Sequence, residues 1–243
     1  MPETRASKES SGGDASRKER RTLWIALGLV VLAANLPLVA FVLRPAASVA
    51  FELTGPWTDT FDRDELGDNY WFGGGYWRLA NHMLLSPGAK NNPLWLRAAL
   101  PADVQVEFDT RSDSPEGDTK CEIFGDGYDH TSGYILIFGG WNNTISAIAR
   151  LNEHGVPVAP VMPDPLPNGG EVRVERRDLH VVPGQTYHWT IRRKNGTLSW
   201  SLDGQPAIEI VDPHPLRGRG HDRFAFSTWD VDVFYDNLKI TPL

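Results

Sequence analysis

Two turn dipeptides in the C-terminal half of the chain restrict its fold more than any other feature. Asn195-Gly196 and Asp203-Gly204 separate three short runs in which apolar and polar side chains alternate. Both central residues of a tight type I′ hairpin turn need positive φ, which Asn, Asp and Gly tolerate well. The pattern therefore predicts two successive hairpins, and so a three-stranded antiparallel meander over residues 186–211.

Strand patterns recur through the rest of the chain downstream of its N-terminal segment. Residues 104–111 alternate between apolar and polar side chains, as in a half-buried strand, whereas residues 134–138 are wholly apolar, as in a central strand. The last strands are expected at residues 224–229 and 233–240. An all-β chain of this size must stack two sheets or close its edges, so we expect a sandwich of about 12–14 strands over residues 57–243.

The N-terminal segment has a different character. Residues 1–21 are polar and low in complexity, which indicates a disordered tail, and residues 22–43 form an apolar run without a charged side chain. A run of this length suits a single transmembrane helix, which a linker over residues 44–56 would join to the sandwich. Four basic residues closely precede the run, so the positive-inside rule predicts a cytoplasmic N-terminus and a periplasmic or extracellular domain.

Three other interpretations of this segment stay open. The Ser-Val-Ala of residues 48–50 fits the small-residue pattern of a signal-peptide cleavage site, although the apolar run is longer than a usual signal core. Arg20-Arg21 could belong to a twin-arginine export signal. A helix buried in a soluble protein would also be apolar, but the length and lack of charge of residues 22–43 favour the anchor.

Charge and cysteine content exclude several classes of site. The chain carries a net charge of −7 although its N-terminal segment is basic, so the sandwich itself is acidic and unsuited to the phosphate backbone of nucleic acids. Cys121 is the single cysteine, which rules out an intrachain disulfide and a cysteine-based zinc site. We therefore expect no nucleic-acid partner, whereas the acidity is compatible with bound calcium.

Three motifs of the predicted sandwich resemble those of a known family. They are residues 61–71 with 76–79, residues 189–204, and residues 224–226 with 235–240. On these motifs, most of the chain resembles the concanavalin A-like lectin/glucanase domains, in particular the bacterial group similar to 3-keto-disaccharide hydrolases and to glycoside hydrolase family 16. The resemblance implies a jelly-roll β-sandwich that binds or processes carbohydrate. It does not choose between these functions, because the fold carries lectins, hydrolases and adhesion modules.

The same resemblance implies where catalytic carboxylates would lie. Family 16 enzymes carry a strand of the type Glu-x-Asp-x-x-Glu, and the most similar segment here begins at Glu122, with Phe124 in place of the middle Asp and Asp126 near the second Glu. On an extended strand Glu122 and Asp126 would share a face about 13 Å apart, which is long for either hydrolytic geometry. They are the candidate catalytic pair; alternatively, they are surface charges paired with Arg111 or Lys120.

Sugar binding needs flat aromatic rings beside polar groups that meet hydroxyls. Trp189 and Trp200 lie in the middle of predicted hairpin strands, so we assign them to the core. Other aromatic residues are flanked by glycine and polar residues, which favours their exposure. The candidate substrate-binding residues are Trp71, Tyr128, Trp141 and Asn142.

Acidic residues cluster at several predicted turns. Calcium binds six to eight oxygen ligands, so such clusters are candidate structural calcium sites, although none has the spacing of an EF-hand loop. The candidate metal ligands are Asp62, Asp64 and Asp236. The alternative is that these carboxylates are solvated turn residues.

Three functions from different classes remain compatible with the sequence. The first is a membrane-anchored carbohydrate-binding domain, the second a glycoside-processing hydrolase of the 3-keto-disaccharide hydrolase type, and the third a structural or protein-interaction module. An enzyme needs converging carboxylates in a cleft, a binding module needs an aromatic platform, and an adhesion module needs neither.

Overall fold

The computed structural model describes residues 12–42 and 48–243, with only the backbone given for residues 12–16, 18 and 37–42. They belong to two compact units that divide after Pro45. The first unit contains a single helix, α1, over Gly12–Val42. The second unit is the sandwich.

Helix α1 begins before the predicted span. It includes residues 12–21, which we expected to belong to a disordered tail; the rest of that tail and residue 43 lie outside the described residues. Its apolar side chains, such as Trp24 and Leu32, are exposed. Among the helices that the structure describes, none combines the length and hydrophobicity that a membrane span needs.

Sixteen strands build the second unit. They are β1 Trp57–Asp59, β2 Tyr70–Trp71, β3 Arg78–Ala80, β4 Met83–Pro87, β5 Leu94–Leu96, β6 Val104–Ser112, β7 Thr119–Gly125, β8 Tyr134–Gly139, β9 Ile145–Arg150, β10 Val156–Pro157, β11 Val172–Arg176, β12 Thr186–Lys194, β13 Thr197–Leu202, β14 Gln205–Val211, β15 Arg223–Thr228 and β16 Asp232–Pro242. Two short helical turns, Gly140–Asn143 and Asn168–Gly170, interrupt them.

The strands form two eight-stranded sheets. Sheet A has the order β14-β13-β12-β6-β16-β4-β3, with β1 also paired to β16. Sheet B has the order β10-β11-β9-β8-β7-β15-β5-β2. Many neighbours in each sheet are distant in sequence, as in a jelly roll. The all-β sandwich predicted from the strand patterns is confirmed, but it has sixteen strands instead of the expected 12–14, because several strands of two or three residues are too short to show an alternating pattern.

The two predicted hairpins are present in sheet A. Asn195 and Gly196 have φ of 51° and 86°, and Asp203 and Gly204 have φ of 50° and 75°. Strands β12, β13 and β14 pair in antiparallel order through these turns. The Asn-Gly and Asp-Gly dipeptides therefore form the tight hairpin turns that the sequence predicts.

Aromatic side chains fill the space between the sheets. Trp189 and Trp200 are buried, with ring centroids 4.6 Å apart, which confirms their assignment to the core. Phe108 stacks on Trp189 at 5.2 Å and meets Phe226 of the other sheet edge-on at the same distance. Cys121 is also buried here, and its burial raises the pKa of its thiol well above the ordinary range.

The predicted linker over residues 44–56 is not free along its whole length. The backbone N–H of Ala50 donates to the carbonyl of Arg97 at 2.7 Å, and Phe51 forms a bridge with Ala98. The Phe51 ring also lies 5.0 Å from that of Trp57. Apolar Phe51 finds partners on the sandwich, so the second half of the linker is part of the domain.

Candidate functional site

Strand β7 has one face toward the core and the other toward the open surface of sheet B. Cys121 and Ile123 belong to the core between the sheets, so Lys120 and Glu122, which alternate with them, project from the opposite face. A cleft of about 630 Å³ opens there. Its lining residues are Asn91, Glu116, Asp118, Lys120, His130, Thr131, Ile137, Trp141, Asn142, Asn152, Glu153, His154, Trp229, Asp230 and Val231.

Lys120 is the centre of a charged network in this cleft. Its side chain is only 3% exposed, and its Nζ donates to Asn91 Oδ1 at 3.0 Å and to Glu153 Oε2 at 3.1 Å. Asp118 Oδ1 lies 3.4 Å from the same ammonium. A buried ammonium is stable only when acceptors replace its water shell, and these three side chains do so.

His130 joins this network to Glu122. Its Nδ1 lies 2.6 Å from Glu122 Oε1, and its Nε2 lies 3.7 Å from Glu153 Oε2. Burial alone would lower the pKa of His130, but the two carboxylates outweigh it and raise that pKa to about 9. The imidazole is therefore protonated at neutral pH, and its Nδ1–H donates to Glu122.

The two carboxylates around Lys120 have opposite pKa shifts. Burial would raise the pKa of Glu153, but His130 and Lys120 hold it well below its usual range. Burial raises the pKa of Asp118 above its ordinary value, because it outweighs the attraction of Lys120 and the hydrogen bond donated by the Trp229 backbone N–H. Glu153 is therefore ionised, while Asp118 holds a proton more readily than a solvated aspartate.

A left-handed turn holds Trp141 at the side of the cleft. Gly139 has φ of 68°, and the next left-handed residues, Trp141, Asn142 and Asn143, have φ of 51°, 57° and 58°. Three consecutive non-glycine residues in this region are costly, and such strain is concentrated at functional sites. The Asn143 side chain stabilises the turn through two hydrogen bonds of 2.8 Å to the backbone of Val181.

The indole of Trp141 lies on an apolar patch of sheet B. The patch consists of Ile135, Ile137 and Ala149. Arg173 stacks over the Trp141 ring at 5.5 Å, and the His154 ring lies 5.8 Å away. These contacts fix the orientation of the ring, so it forms a rigid aromatic surface beside the charged network.

The predicted catalytic pair does not come together. Glu122 lies on the cleft face but is fully buried beneath His130. Phe124 has φ of 58° and sits in a β-bulge, so its side chain enters the core and the alternation along β7 breaks. Asp126 lies beyond the break and accepts the backbone N–H groups of Tyr128 and Asp129 at 2.7 and 2.8 Å. Asp126 is therefore a turn-capping residue.

The predicted substrate-binding residues divide between two places. Trp141 and Asn142 line the cleft. Trp71 and Tyr128, whose rings meet edge-on at 5.2 Å, line a separate depression of about 40 Å³. Trp71 lies opposite Trp95 on the same sheet, so this depression is on the β2 edge of sheet B.

The three predicted metal ligands do not form a cluster. Among the described residues, no group of three or more acidic, histidine or cysteine side chains could hold a metal ion. Asp62 Oδ1 lies 3.6 Å from His82 Nδ1. Burial, together with nearby carboxylates including Asp62, raises the pKa of Asp236. Bound calcium involving Asp62, Asp64 and Asp236 stays a prediction.

The charged network could not be identified from the sequence alone. Alternation along β7 places Lys120 on the same face as Glu122, which was a usable signal. Asn91, Glu153 and Trp229 come from loops far apart in sequence, and no local pattern indicates that they meet.

Comparisons with known proteins agree on the fold. No family model and no curated protein matches the chain. The carbohydrate-binding module CBM66 from Bacillus subtilis is 14% identical, with a TM-score of 0.54 over 72% of this chain and 97% of the module. A Bacillus licheniformis β-glucanase is 10% identical, with a TM-score of 0.54 over 78% of this chain and 99% of the enzyme. The Crh5 transglycosylase is 11% identical, with a TM-score of 0.56 over 82% of this chain and 88% of its own.

These identities support a conclusion about architecture alone. They do not confirm the narrower resemblance to the 3-keto-disaccharide hydrolase-like group. The chain has the two-sheet jelly-roll β-sandwich fold that is found in carbohydrate-binding modules and in glycoside hydrolases.

Proposed function

We propose that this protein binds a carbohydrate in the cleft of sheet B. The observation that carries the proposal is the combination of exposed indole surface and fixed polar groups in one cleft of about 630 Å³. Trp229, which is 51% exposed, offers a face for the C–H surface of a sugar ring, and the part of Trp141 that the apolar patch and Arg173 leave uncovered adds apolar surface. The polar groups of the cleft are those of Asn91, His130 and Glu153. Structural neighbours that bind or process carbohydrate support the proposal at the level of fold.

His130 and Glu153 form a fixed polar surface at the centre of the cleft. His130 Nε2 is buried and lies 3.7 Å from Glu153 Oε2, beyond hydrogen-bond distance. Because the Glu153 carboxylate is already held in place, a sugar hydroxyl that donates to it would gain a charge-assisted hydrogen bond at a small entropic cost.

A glycan array tests this proposal. The purified full chain is applied to immobilised oligosaccharides and polysaccharides, with calcium and with a chelator. We expect retention on at least one glycan class and loss of that retention in His130→Ala. Absence of retention on every glycan, by a protein that circular dichroism shows to be folded, would contradict carbohydrate binding.

A second candidate is glycoside hydrolysis, including the 3-keto-disaccharide hydrolase type. It is favoured by the opposite pKa shifts of Asp118 and Glu153 around one lysine, since such pairs supply an acid and a base to hydrolases. Glu122 would act in this case as a positioning residue for His130, because it is fully enclosed.

Release of reducing ends separates the two candidates. A binding protein leaves the glycan intact, whereas an enzyme releases reducing ends and loses turnover in Asp118→Asn and Glu153→Gln while still binding the glycan. Glu122→Gln should weaken binding only modestly, because it retains shape and one hydrogen bond to His130.

We also propose that the sandwich lies outside the cytoplasm and that the N-terminal apolar segment anchors it to the membrane. The uncharged apolar run of residues 22–43 and the four basic residues that precede it support this topology. Protease added to intact spheroplasts should digest the sandwich and leave a cytoplasmic control protein intact. Full protection of the sandwich would contradict the topology, and recovery of a free domain in the medium would favour a cleaved signal.

A further inference from the structure

The small depression at the β2 edge of sheet B differs from the cleft in the charge that it presents to a ligand. Its lining residues are Ser48, Trp71, Trp95, Leu96, Arg97, Gly127, Tyr128 and Arg223. None of these lining side chains is a carboxylate, whereas four carboxylates line the cleft. The depression is therefore suited to a ligand group of a different charge from the groups that suit the cleft.

Arg97 brings to the depression a positive charge that the protein does not neutralise. Its side chain is half-buried, and both of its hydrogen bonds go to neutral acceptors: Nη1 donates to the backbone carbonyl of Asp68 at 2.8 Å and Nη2 to the hydroxyl of Ser48 at 3.1 Å. No carboxylate of the described residues forms an ion pair with it, whereas Arg223 is paired with Asp222 at 2.7 Å. A guanidinium has five N–H donors, so Arg97 keeps donors for an anionic ligand.

Trp95 adds a buried donor to the same lining. Its neighbours Leu94 and Leu96 belong to the core, so the indole projects from the opposite, open face of sheet B. The side chain is only 1% exposed, and among the described residues its Nε1–H has no hydrogen-bond partner. A buried N–H without an acceptor is costly, so the lining favours a ligand group that brings acceptor oxygens.

An aromatic pair forms the wall of the depression. Trp71 is 38% exposed, and its contact with Tyr128 holds the ring in place, so it offers a rigid surface on which a sugar ring can stack. The volume of about 40 Å³ limits what can enter. Since one buried water needs roughly 10–15 Å³, a carboxylate fits in this space and a whole sugar ring does not.

We propose that the depression binds the carboxylate of a uronic acid unit whose ring stacks on Trp71. This inference rests on the proposed carbohydrate function and names a chemical feature of its ligand. Trp71 on β2 and Glu122 on β7 are three strand spacings apart in sheet B, which is about 14 Å at roughly 4.8 Å per spacing. A glycan of several units spans that distance, so its acidic unit would lie at Arg97 and its neutral units in the acidic cleft.

Ligand-observed NMR titration of the full chain tests this site. The probes are methyl β-glucuronide and methyl β-glucoside, which differ only in the carboxylate and do not depend on the identity of the glycan in the cleft. We expect the glucuronide to bind about tenfold more tightly at about 20 mM salt, and this preference to shrink at about 200 mM salt, because the charge of a partly exposed arginine is screened.

Variants assign the preference to the depression. Arg97→Gln should bring the affinity ratio of glucuronide to glucoside close to one, whereas Arg97→Lys, which keeps the charge, should retain most of the ratio. Trp71→Ala should weaken the binding of the glucuronide, because the sugar ring loses its stacking surface. Arg192→Gln, which removes an exposed arginine on β12 of sheet A, is the matched control and should keep the wild-type ratio.

The outcomes separate this inference from the proposed function. If the wild type binds both probes equally or binds neither, or if the ratio survives Arg97→Gln, the uronic acid site is wrong. Retention of the same protein on the glycan array would then leave carbohydrate binding in the cleft intact. An empty array, together with failure of both probes to bind, would overturn the proposed function as well.

Discussion

Lys120 shows how one buried charge organises the cleft. Its ammonium is surrounded by Asn91, Asp118 and Glu153, so the side chain serves both the stability of the domain and the shape of the site. Removing one partner of a buried ion pair leaves the other charges without compensation. The stability cost of a substitution therefore depends on burial far more than on the number of contacts.

A pair of lysine substitutions measures this effect. Lys120→Met should lower the free energy of unfolding by about 3 kcal/mol or more, because Glu153 and Asp118 lose their buried counter-ion. Lys90→Met is the matched control: its ion pair with Asp230 is solvent-exposed, so the loss should be under about 1 kcal/mol. Urea denaturation gives both values, and equal losses would contradict the role assigned to burial.

His130 should make stability depend on pH. Its pKa rises from 6.5 to about 9 on folding, so the proton favours the folded state. The stabilisation is fully present below pH 6.5 and is lost as the pH rises through about 9. Thermal melts of the wild type and His130→Asn should therefore converge as the pH rises through this window. His82→Asn, at an exposed histidine, should run parallel to the wild type, and a constant gap for His130→Asn would contradict the proposed protonation.

Single residues also explain why the two predicted catalytic carboxylates do not share one face of β7. Periodicity placed Glu122, Phe124 and Asp126 on one face, which holds only for a regular strand. The positive φ of Phe124 breaks that regularity, and a bulky aromatic residue gives no local signal of positive φ. Glu122 was predicted to lie on the cleft face. The side chain that buries it, His130, belongs to the loop after β7, and strand periodicity cannot predict the position of a loop residue.

Hairpins are the elements that the sequence predicts best. The Asn-Gly and Asp-Gly turns fix their own backbone conformation, so the meander β12-β13-β14 follows from local chemistry. The left-handed turn Gly140–Asn143 is different. It persists because Asn143 bonds to Val181, a residue far along the chain, and such a tertiary contact cannot be read from the neighbouring sequence.

Gly196 provides a test of the first hairpin turn. Its φ of 86° suits glycine, and the space around its missing Cβ is open, with Pro215 Cγ at 3.6 Å, so a larger side chain would suffer from the backbone alone. Gly196→Val should destabilise the domain by more than about 1 kcal/mol, because a β-branched residue resists positive φ. Thr197→Val, a β-branched replacement in the adjacent strand, should change the melting temperature little. An unchanged melting temperature for Gly196→Val would contradict the strain argument.

In the whole molecule, the two sheets bring together residues that are far apart in the sequence. Strand patterns, turn dipeptides and core aromatics were sufficient to predict a sandwich over residues 57–243, since each is a local signal. The order of strands in sheet B is not local, and it alone joins Lys120 of β7 with the loops that carry Asn91, Glu153 and Trp229. The position of the site therefore depends on the order of the strands in the sheet, which cannot be predicted from hydrophobic periodicity.

Carbohydrate binding in the cleft of sheet B should depend on the indole side chains that line it. The most direct measurement is the affinity of the full chain for a glycan that it retains, compared with Trp141→Ala and Phe234→Ala. Trp141 lines the cleft, whereas Phe234 is a partly exposed aromatic residue on β16 of sheet A. We expect Trp141→Ala to lose at least about tenfold in affinity, which corresponds to about 1.4 kcal/mol, and Phe234→Ala to keep wild-type affinity. Wild-type affinity in a folded Trp141→Ala variant would contradict it.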